Sequence, residues 1–325
     1  MTDSVHTSFL SIVVPVYNEA TTIPLFHQRL SAVLAQLPAR AEILFVNDGS
    51  TDQSAAVLTA LQAADSRIGV LTFTRNFGKE IALSAGLDYA AGDAVIVMDV
   101  DLQDPPELIP EMHQHWQAGS AMVYTKRLHR NDETVLKKYS SKLFYKLLGK
   151  LTPLVIPTDA RDFRLLDRTL VNHLRKIRET HRFMKGLFSW LGYEPIVITY
   201  EAAPRSGGQS KWNYGKLFAL AIEGLTSFSI VPLRWSTYLG FATAGTAFLY
   251  ALWTIYKTCF FGEPVAGYPS LMVVILFLGG VQLMALGIMG EYVGRTFMES
   301  KQRPLYLLRD YKPAAQSALE KTERP

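Results

Sequence analysis

Val95-Ile96-Val97-Met98-Asp99-Val100-Asp101-Leu102-Gln103-Asp104-Pro105-Pro106 is an apolar run that passes into three carboxylates and an amide before two prolines stop it. Val95 to Met98 has the composition of a buried strand. Asp99, Asp101 and Gln103 alternate, so in an extended chain their side chains leave on one face. Hard oxygen donors gathered at a strand end suit Mg²⁺ or Mn²⁺. A polar turn with solvated acids is the simpler alternative.

Upstream, strands and helices alternate. Ser11-Ile12-Val13-Val14-Pro15-Val16 reads as a strand that breaks at Tyr17-Asn18-Glu19. Thr21 or Thr22 can cap a helix whose apolar positions Ile23, Phe26, Leu30, Val33, Leu34 and Leu37 keep a helical period. A strand over Glu42–Val46 ends in Asn47-Asp48-Gly49-Ser50, and a helix over 51–64 and a strand over 68–74 follow. The loop Arg75-Asn76-Phe77-Gly78-Lys79-Glu80 then opens a helix reaching about Ala91. This alternation predicts an α/β domain built on a mostly parallel, doubly covered sheet. Ligands of such sheets bind beyond the carboxyl ends of the strands, where Asn18-Glu19, Asp48 and Asp99-Asp101 could converge. No Gly-x-Gly-x-x-Gly follows the first strand and no Gly-Lys-Ser/Thr phosphate loop is present, which argues against a dinucleotide oxidoreductase and a P-loop ATPase.

Downstream the chain turns basic. Lys126, Arg127, His129, Arg130, Lys137 and Lys138 lead into an expected amphipathic helix over 134–151, along which Lys138, Lys142, Lys146 and Lys150 recur every four residues. Such a helix suits an anionic membrane surface, and nothing here resembles a nucleic-acid reader. Asp159-Ala160-Arg161-Asp162-Phe163-Arg164 alternates acids and bases, and Arg205-Ser206-Gly207-Gly208-Gln209-Ser210-Lys211-Trp212 is a glycine-rich loop with two cations suited to phosphates.

Trp235–Tyr256 and Pro264–Gly290 carry no charged residue, and each exceeds the roughly 20 residues needed to cross a bilayer core. Arg234 precedes the first, and Arg295, Lys301, Arg303 and Arg309 follow the second, so the positive-inside rule puts both ends of the chain in the cytoplasm. Residues 1–212 are thus expected as a cytoplasmic domain, 213–233 as an interfacial helix, 234–297 as a transmembrane hairpin and 298–325 as a cytoplasmic tail. The chain has 325 residues, a formal charge of +4 and a single cysteine, Cys259, expected as a buried apolar side chain. The first residues lack the regions of a signal peptide.

The ordered set of motifs resembles the membrane-bound family 2 glycosyltransferases that charge polyprenyl phosphate with a sugar, in particular the bactoprenol glucosyl transferases. It runs from Val14-Pro15-Val16-Tyr17-Asn18-Glu19, Asn47-Asp48-Gly49-Ser50 and Asn76-Phe77-Gly78-Lys79-Glu80 through Asp99-Val100-Asp101-Leu102-Gln103 and Asp162-Phe163-Arg164. It continues to Ser210-Lys211, Glu223-Gly224-Leu225-Thr226-Ser227-Phe228-Ser229 and Gly290-Glu291-Tyr292-Val293-Gly294-Arg295. The resemblance implies a GT-A (Rossmann-like) fold and inverting hexose transfer, most simply of glucose, from a UDP-sugar to undecaprenyl phosphate with Mg²⁺ or Mn²⁺. It also implies a bacterial inner-membrane location and a homo-oligomer, a tetramer. Asp48 and the Pro15, Tyr17, Asn18 and Glu19 turn would hold the uridine, with Lys79 and Val100 beside the donor. Asp99 and Asp101 would form the Asp-x-Asp motif, and Gln103 would join the metal shell. Arg127, Lys137, Lys138, Arg205 and Lys211 would neutralise phosphates, and Asp162, Asp101 and Arg164 would be the catalytic residues. Asp162 matches a proposed base, although a phosphate monoester, with a second pKa near about 6, needs little deprotonation. Transfer of another sugar (mannose, N-acetylglucosamine or a formamido-arabinose) and a non-catalytic sugar-nucleotide sensor are the alternative readings.

Overall fold

The structure, a computed structural model, describes residues 8–127, 160–180, 182–200, 231–261, 267–315 and 317. The expected helix over 134–151, the loop over 205–212 and the interfacial segment 213–230 lie outside these residues, and with them Lys137, Lys138, Arg205 and Lys211. The chain forms two units, one carrying the α/β sheet and one a helical hairpin.

In the α/β unit, β1 (Phe9–Val16), α1 (Thr22–Leu34), β2 (Arg40–Asn47), α2 (Ser54–Ala64), β3 (Ile68–Phe73), α3 (Lys79–Tyr89) and β4 (Ala94–Val97) follow the expected alternation. A single 3₁₀ turn, Pro106–Leu108, leads into α4 (Ile109–Gln117) and β5 (Met122–Arg127). Next come β6 (Ala160–Asp167), α5 (Arg168–Lys176), α6 (Met184–Trp190) and β7 (Ile196–Tyr200). The eight strands lie in the order β7-β5-β6-β4-β1-β2-β3-β8, where β8 is Leu308–Lys312. β6 runs antiparallel to β4 and β5, and β8 antiparallel to β3; the other pairings are parallel. The carboxyl ends of β1, β2, β3, β4, β5 and β7 therefore share one edge, and β6 brings its first residues to that same edge.

The strands carry near-continuous apolar runs because both faces are covered. Leu10, Ile12, Val14, Ile43, Phe45, Ile96 and Phe163 meet Ile23, Phe26 and Leu30 of α1 in one core. Each such side chain contributes about 1.5–3 kcal/mol on full burial. On the other face α3 lies so close to β1 that a Cβ at Gly86 would stand 2.1 Å from Cγ1 of Val13. Gly86→Ala should therefore lower stability by about 1–3 kcal/mol through overpacking. A fall in the thermal unfolding midpoint in detergent is the readout, and an unchanged midpoint would remove this contact as the reason for the glycine.

Two local expectations need correction. Neither Thr21 nor Thr22 caps α1 with its side chain. The backbone carbonyl of Glu19 takes the N–H groups of Thr22 and Ile23, and Glu19 Oε2 accepts the Thr22 hydroxyl at 2.8 Å. Asp99, Asp101 and Gln103 do not continue an extended strand either. β4 ends at Val97, the chain turns at Val100–Asp101, and Leu102 takes a positive φ of 58°. The turn is held by the Gln103 N–H, which donates to Asp101 Oδ1 at 3.1 Å.

The stretch expected as a tail returns to the sheet. β8 pairs with β3, the Tyr306 ring stacks on Phe73 at 5.2 Å, and the Tyr306 hydroxyl donates to Asp88 at 2.8 Å. In the hairpin unit, α7 (Val231–Phe261) and α8 (Tyr268–Ser300) have 31 and 33 residues, so at 1.5 Å per residue they are about 45 and 50 Å long. They pack on one another. Among the described residues one helical stretch, Phe277–Ser300, is long and apolar enough to cross a membrane, where the sequence predicts two such spans. Both helices expose large apolar side chains, including Trp235, Phe241, Phe248, Trp253, Leu283 and Leu286. Cys259, expected inside, is exposed among them.

Candidate functional site

The shared edge of the sheet carries an open cleft lined by Pro15, Val16, Tyr17, Glu19, Asp48, Asn76, Gly78, Lys79, Ala82, Asp99, Val100 and Asp101. Eight residues singled out from the sequence (Pro15, Tyr17, Glu19, Asp48, Lys79, Asp99, Val100 and Asp101) thus face one space. Asn18 does not line it. Its side-chain oxygen accepts the Thr51 N–H at 2.8 Å and its own N–H donates to the Ser50 hydroxyl, so it ties the β1 turn to the β2 turn. The positive φ of Asn18, 57°, suits asparagine, which tolerates the left-handed region better than most residues.

Asp48 is buried and clasps the loop ahead of α3. Its Oδ1 accepts the Phe77 N–H at 2.6 Å and its Oδ2 the Gly78 N–H at 2.9 Å. Burial raises its carboxyl above the usual aspartate value, while those two N–H groups and Arg75 pull the other way. Gly78 has a φ of 99°, a conformation that glycine adopts without strain, and it points the chain so that Lys79 begins α3 inside the cleft. Asn76, Gly78 and Ala82 belong to the cleft but were not singled out, although Asn76 and Gly78 lie within the loop motif read from the sequence.

Lys79 is the centre of the charge arrangement. Its ammonium lies 2.7 Å from Asp99 Oδ1 and 2.6 Å from Asp162 Oδ2. The register explains the bridge. The β4–β6 register ends with Val97 opposite Arg164, so Asp99, two residues beyond Val97, and Asp162, two residues before Arg164, both lie at that end of the ladder. Burial pushes the Asp99 carboxyl up, Lys79 pulls it down, and the neighbouring Asp162 and Asp101 repel it further. Burial opposes the charged form of Asp162 too, but Lys79, Lys185 and Arg164 outweigh it and hold that carboxyl down at about 2. Lys79 loses by burial and gains more from its two carboxylates, so its pKa is raised.

Asp162 sits beside the cleft and not in its lining. Arg164, two residues on, is buried, with its guanidinium 4.5 Å from the ring centroid of Phe188 and 5.2 Å from that of Tyr124. Burial lowers its pKa to about 10, with Asp162 opposing the fall. Arg127 ends β5 and Gln103 follows the turn; neither lines the cleft. Glu80, next to Lys79, is pushed up to about 7 by burial and by Asp162, against the Met184 N–H and the Lys79 and Lys185 ammoniums. A second cleft shares Tyr17 and Asn76 with the first and is lined also by Arg75 and by Arg309 of β8.

Among the described residues no group of three or more His, Cys, Asp or Glu side chains could hold a metal ion. The donors present are the carboxylates of Asp99 and Asp101, close enough to repel one another, with Gln103 in the same turn. That set fits Mg²⁺ or Mn²⁺ bound by one or two carboxylates and completed by substrate phosphates, the usual arrangement for these hard ions.

Residues 11–175 match Glycosyl transferase family 2, and residues 231–296 match the GtrB C-terminal hairpin. The chain is 48% identical over 303 residues to the bactoprenol glucosyl transferase of Shigella phage SfV, covering 93% of this chain and 99% of that one. It is 48% identical over 300 residues to the SfII prophage-derived bactoprenol glucosyl transferase of Shigella flexneri, covering 92% and 97%. It is also 49% identical over 301 residues to an uncharacterised glycosyltransferase of Synechocystis, covering 93% and 95%. With a GT-A-like, mostly parallel sheet, an acidic cleft at its carboxyl edge and these matches along the chain, the protein belongs to glycosyltransferase family 2, among those members that carry the GtrB C-terminal hairpin.

Proposed function

We propose that the protein transfers a hexose, most simply glucose, from a UDP-sugar to undecaprenyl phosphate at the cytoplasmic face of a bacterial inner membrane, with inversion at the anomeric carbon. The observation that carries this reading is the convergence of the Pro15–Glu19 turn, Asp48 and the Asp99–Asp101 turn on one cleft beside the Lys79–Asp162 pair. Whole-length likeness to bactoprenol glucosyl transferases supports the donor and acceptor.

In this reading the uridine lies against Tyr17 and Asp48 and the diphosphate reaches the Asp99–Asp101 turn. Asp101, with Asp99 and Gln103, would hold Mg²⁺ or Mn²⁺, which supplies positive charge to the departing diphosphate. An acceptor phosphate oxygen forms the new bond to the anomeric carbon. The carbon–oxygen bond to UDP breaks and its electron pair leaves with UDP. The acceptor is already largely ionised at neutral pH, so no base has to remove a proton. Positioning and charge neutralisation supply the rate. The basic residues Arg127, Lys137, Lys138, Arg205 and Lys211 would gather the phosphates. α7 and α8 would cross the membrane as a hairpin, a reading supported by their length, their exposed apolar side chains and the cations at their outer ends. Assembly as a homo-oligomer, a tetramer, belongs to the same proposal.

A carboxyl held at about 2 is ionised at every working pH, so raising the pH makes no additional base. Asp162→Asn should thus lower turnover by the same factor from pH 6 to pH 9, about 10²-fold for a charged group that orients the reacting centre. A defect that shrinks steadily as pH rises would restore the base role. The reaction itself is tested with purified protein, several UDP-sugars, undecaprenyl phosphate and either metal, the lipid product being identified by mass. Absence of any lipid-linked hexose would overturn the functional reading, and metal-independent turnover would overturn the role given to the Asp99–Asp101 turn.

A further inference from the structure

Asp99, Lys79, Asp162 and Lys185 form a row of alternating charge. Lys79 joins Asp99 to Asp162 Oδ2, and the Lys185 ammonium stands 3.6 Å from Asp162 Oδ1. The first two members line the donor cleft; the last two do not. The row therefore runs out of the donor cleft, past Asp162, to a lysine on its far side.

The two cations differ in what they have left to offer. Lys79 makes short contacts with two carboxylates. Among the described residues Lys185 meets Asp162 at a distance longer than a hydrogen bond, a geometry in which its ammonium can still donate to a strong acceptor. Met184, Leu187 and Phe188 bury the inner face of α6, and Lys185 projects from the other, part-exposed face. One further contact fixes it: Glu80 Oε2 accepts the N–H of Met184, the residue immediately before Lys185, at 3.0 Å. Consecutive residues of α3 thus set both cations, Lys79 directly and Lys185 through the backbone of Met184.

We propose that Lys185 binds the phosphate of the lipid acceptor on the side of Asp162 remote from the donor, and that Glu80 is the positioning residue that holds it there. This rests on the polyprenyl-phosphate reading above. A phosphate dianion approaching Asp162 meets like charge, and Lys185 stands where it can offset that charge. Glu80 acts through α6 and touches neither substrate.

The experiment uses the full chain in detergent with UDP-glucose and undecaprenyl phosphate. Lys185→Ala should raise KM for the lipid phosphate about tenfold while KM for UDP-glucose stays within about twofold, as expected for loss of one charge-assisted contact to one substrate. Lys185→Arg should recover most of the loss. Glu80→Ala should reproduce the acceptor defect, Glu80→Gln, which keeps an oxygen for the Met184 N–H, should remain near wild type, and the double alanine variant should be no worse than Lys185→Ala. Unchanged UDP binding by calorimetry shows that each variant is folded. A short, water-soluble isoprenyl phosphate should show the same KM shift without any bilayer. A shift seen only with anionic vesicles would mean that Lys185 meets membrane headgroups, and the proposal falls. It also falls if the acceptor KM is unchanged or if the donor KM moves instead, and additive single defects would overturn the part given to Glu80. Wild-type protein that forms no lipid-linked hexose overturns the functional reading itself, a different result from any of these.

Discussion

Lys79→Met is expected to lower kcat by about 10²- to 10³-fold, the range found when a preorganised charge or donor is removed from a reacting centre. The lysine does two things at once. It neutralises Asp99 and Asp162, and by touching both it sets the end of β4 against the start of β6. Without it two carboxylates face one another across the ladder, and burial already disfavours the charge on Asp99. One of them must take up a proton or swing away, and either change disturbs the Asp99–Asp101 turn. Lys79→Arg should not restore activity, because a planar fork cannot replace a compact ammonium held between two acids. Single-turnover rates with saturating donor and acceptor measure the effect. Activity within about threefold of wild type would show that the bridge is dispensable for the chemistry.

Asp101→Asn should be at least as damaging to turnover, about 10³-fold, yet nearly silent in stability. Asp101 is exposed at the turn, and asparagine keeps an oxygen for the Gln103 N–H. What is lost is the charge that, with Asp99, favours a divalent cation. The prediction is therefore a split: an unchanged unfolding midpoint, a large loss of kcat, and UDP affinity that no longer responds to Mg²⁺ or Mn²⁺ in calorimetry. Retained metal dependence of UDP binding would move the metal site away from this turn.

Much of this architecture can be read along the chain because its central strands carry their own evidence. β1, β2, β3 and β4 are apolar on both faces, and the polar residues at their ends mark the binding edge. Where sequence reading stops short, the cause lies in contacts between distant segments. β6 reads as a run of mixed charges, Ala160-Arg161-Asp162-Phe163-Arg164, and becomes a strand because β4 and β5 flank it. β8 is a short, half-charged segment whose partner lies more than 200 residues earlier, and no local pattern announces it. The alternation of Asp99, Asp101 and Gln103 suggests one extended face, but a positive φ at Leu102 ahead of the two prolines bends the chain instead. Asn18, read as a nucleotide contact, is used to join two turns. Glu80 and Lys185 acquire meaning only once α3, β6 and α6 are brought together. Most residues that line the cleft, and the Lys79–Asp162 pair beside it, were legible; Glu80 and Lys185, which extend that charge arrangement, were not.

The return of β8 also constrains the order in which the protein can be made. Every other strand of the sheet precedes the hairpin in the chain, while the strand that covers the β3 edge follows it. During synthesis β3 is paired with β2 on one side only, and its outer edge must wait for β8 until α7 and α8 have both left the ribosome. An open strand edge is a template for pairing with other chains. The β3 edge of the nascent domain is therefore most vulnerable while the hairpin is being synthesised, and it is covered only once β8 has followed.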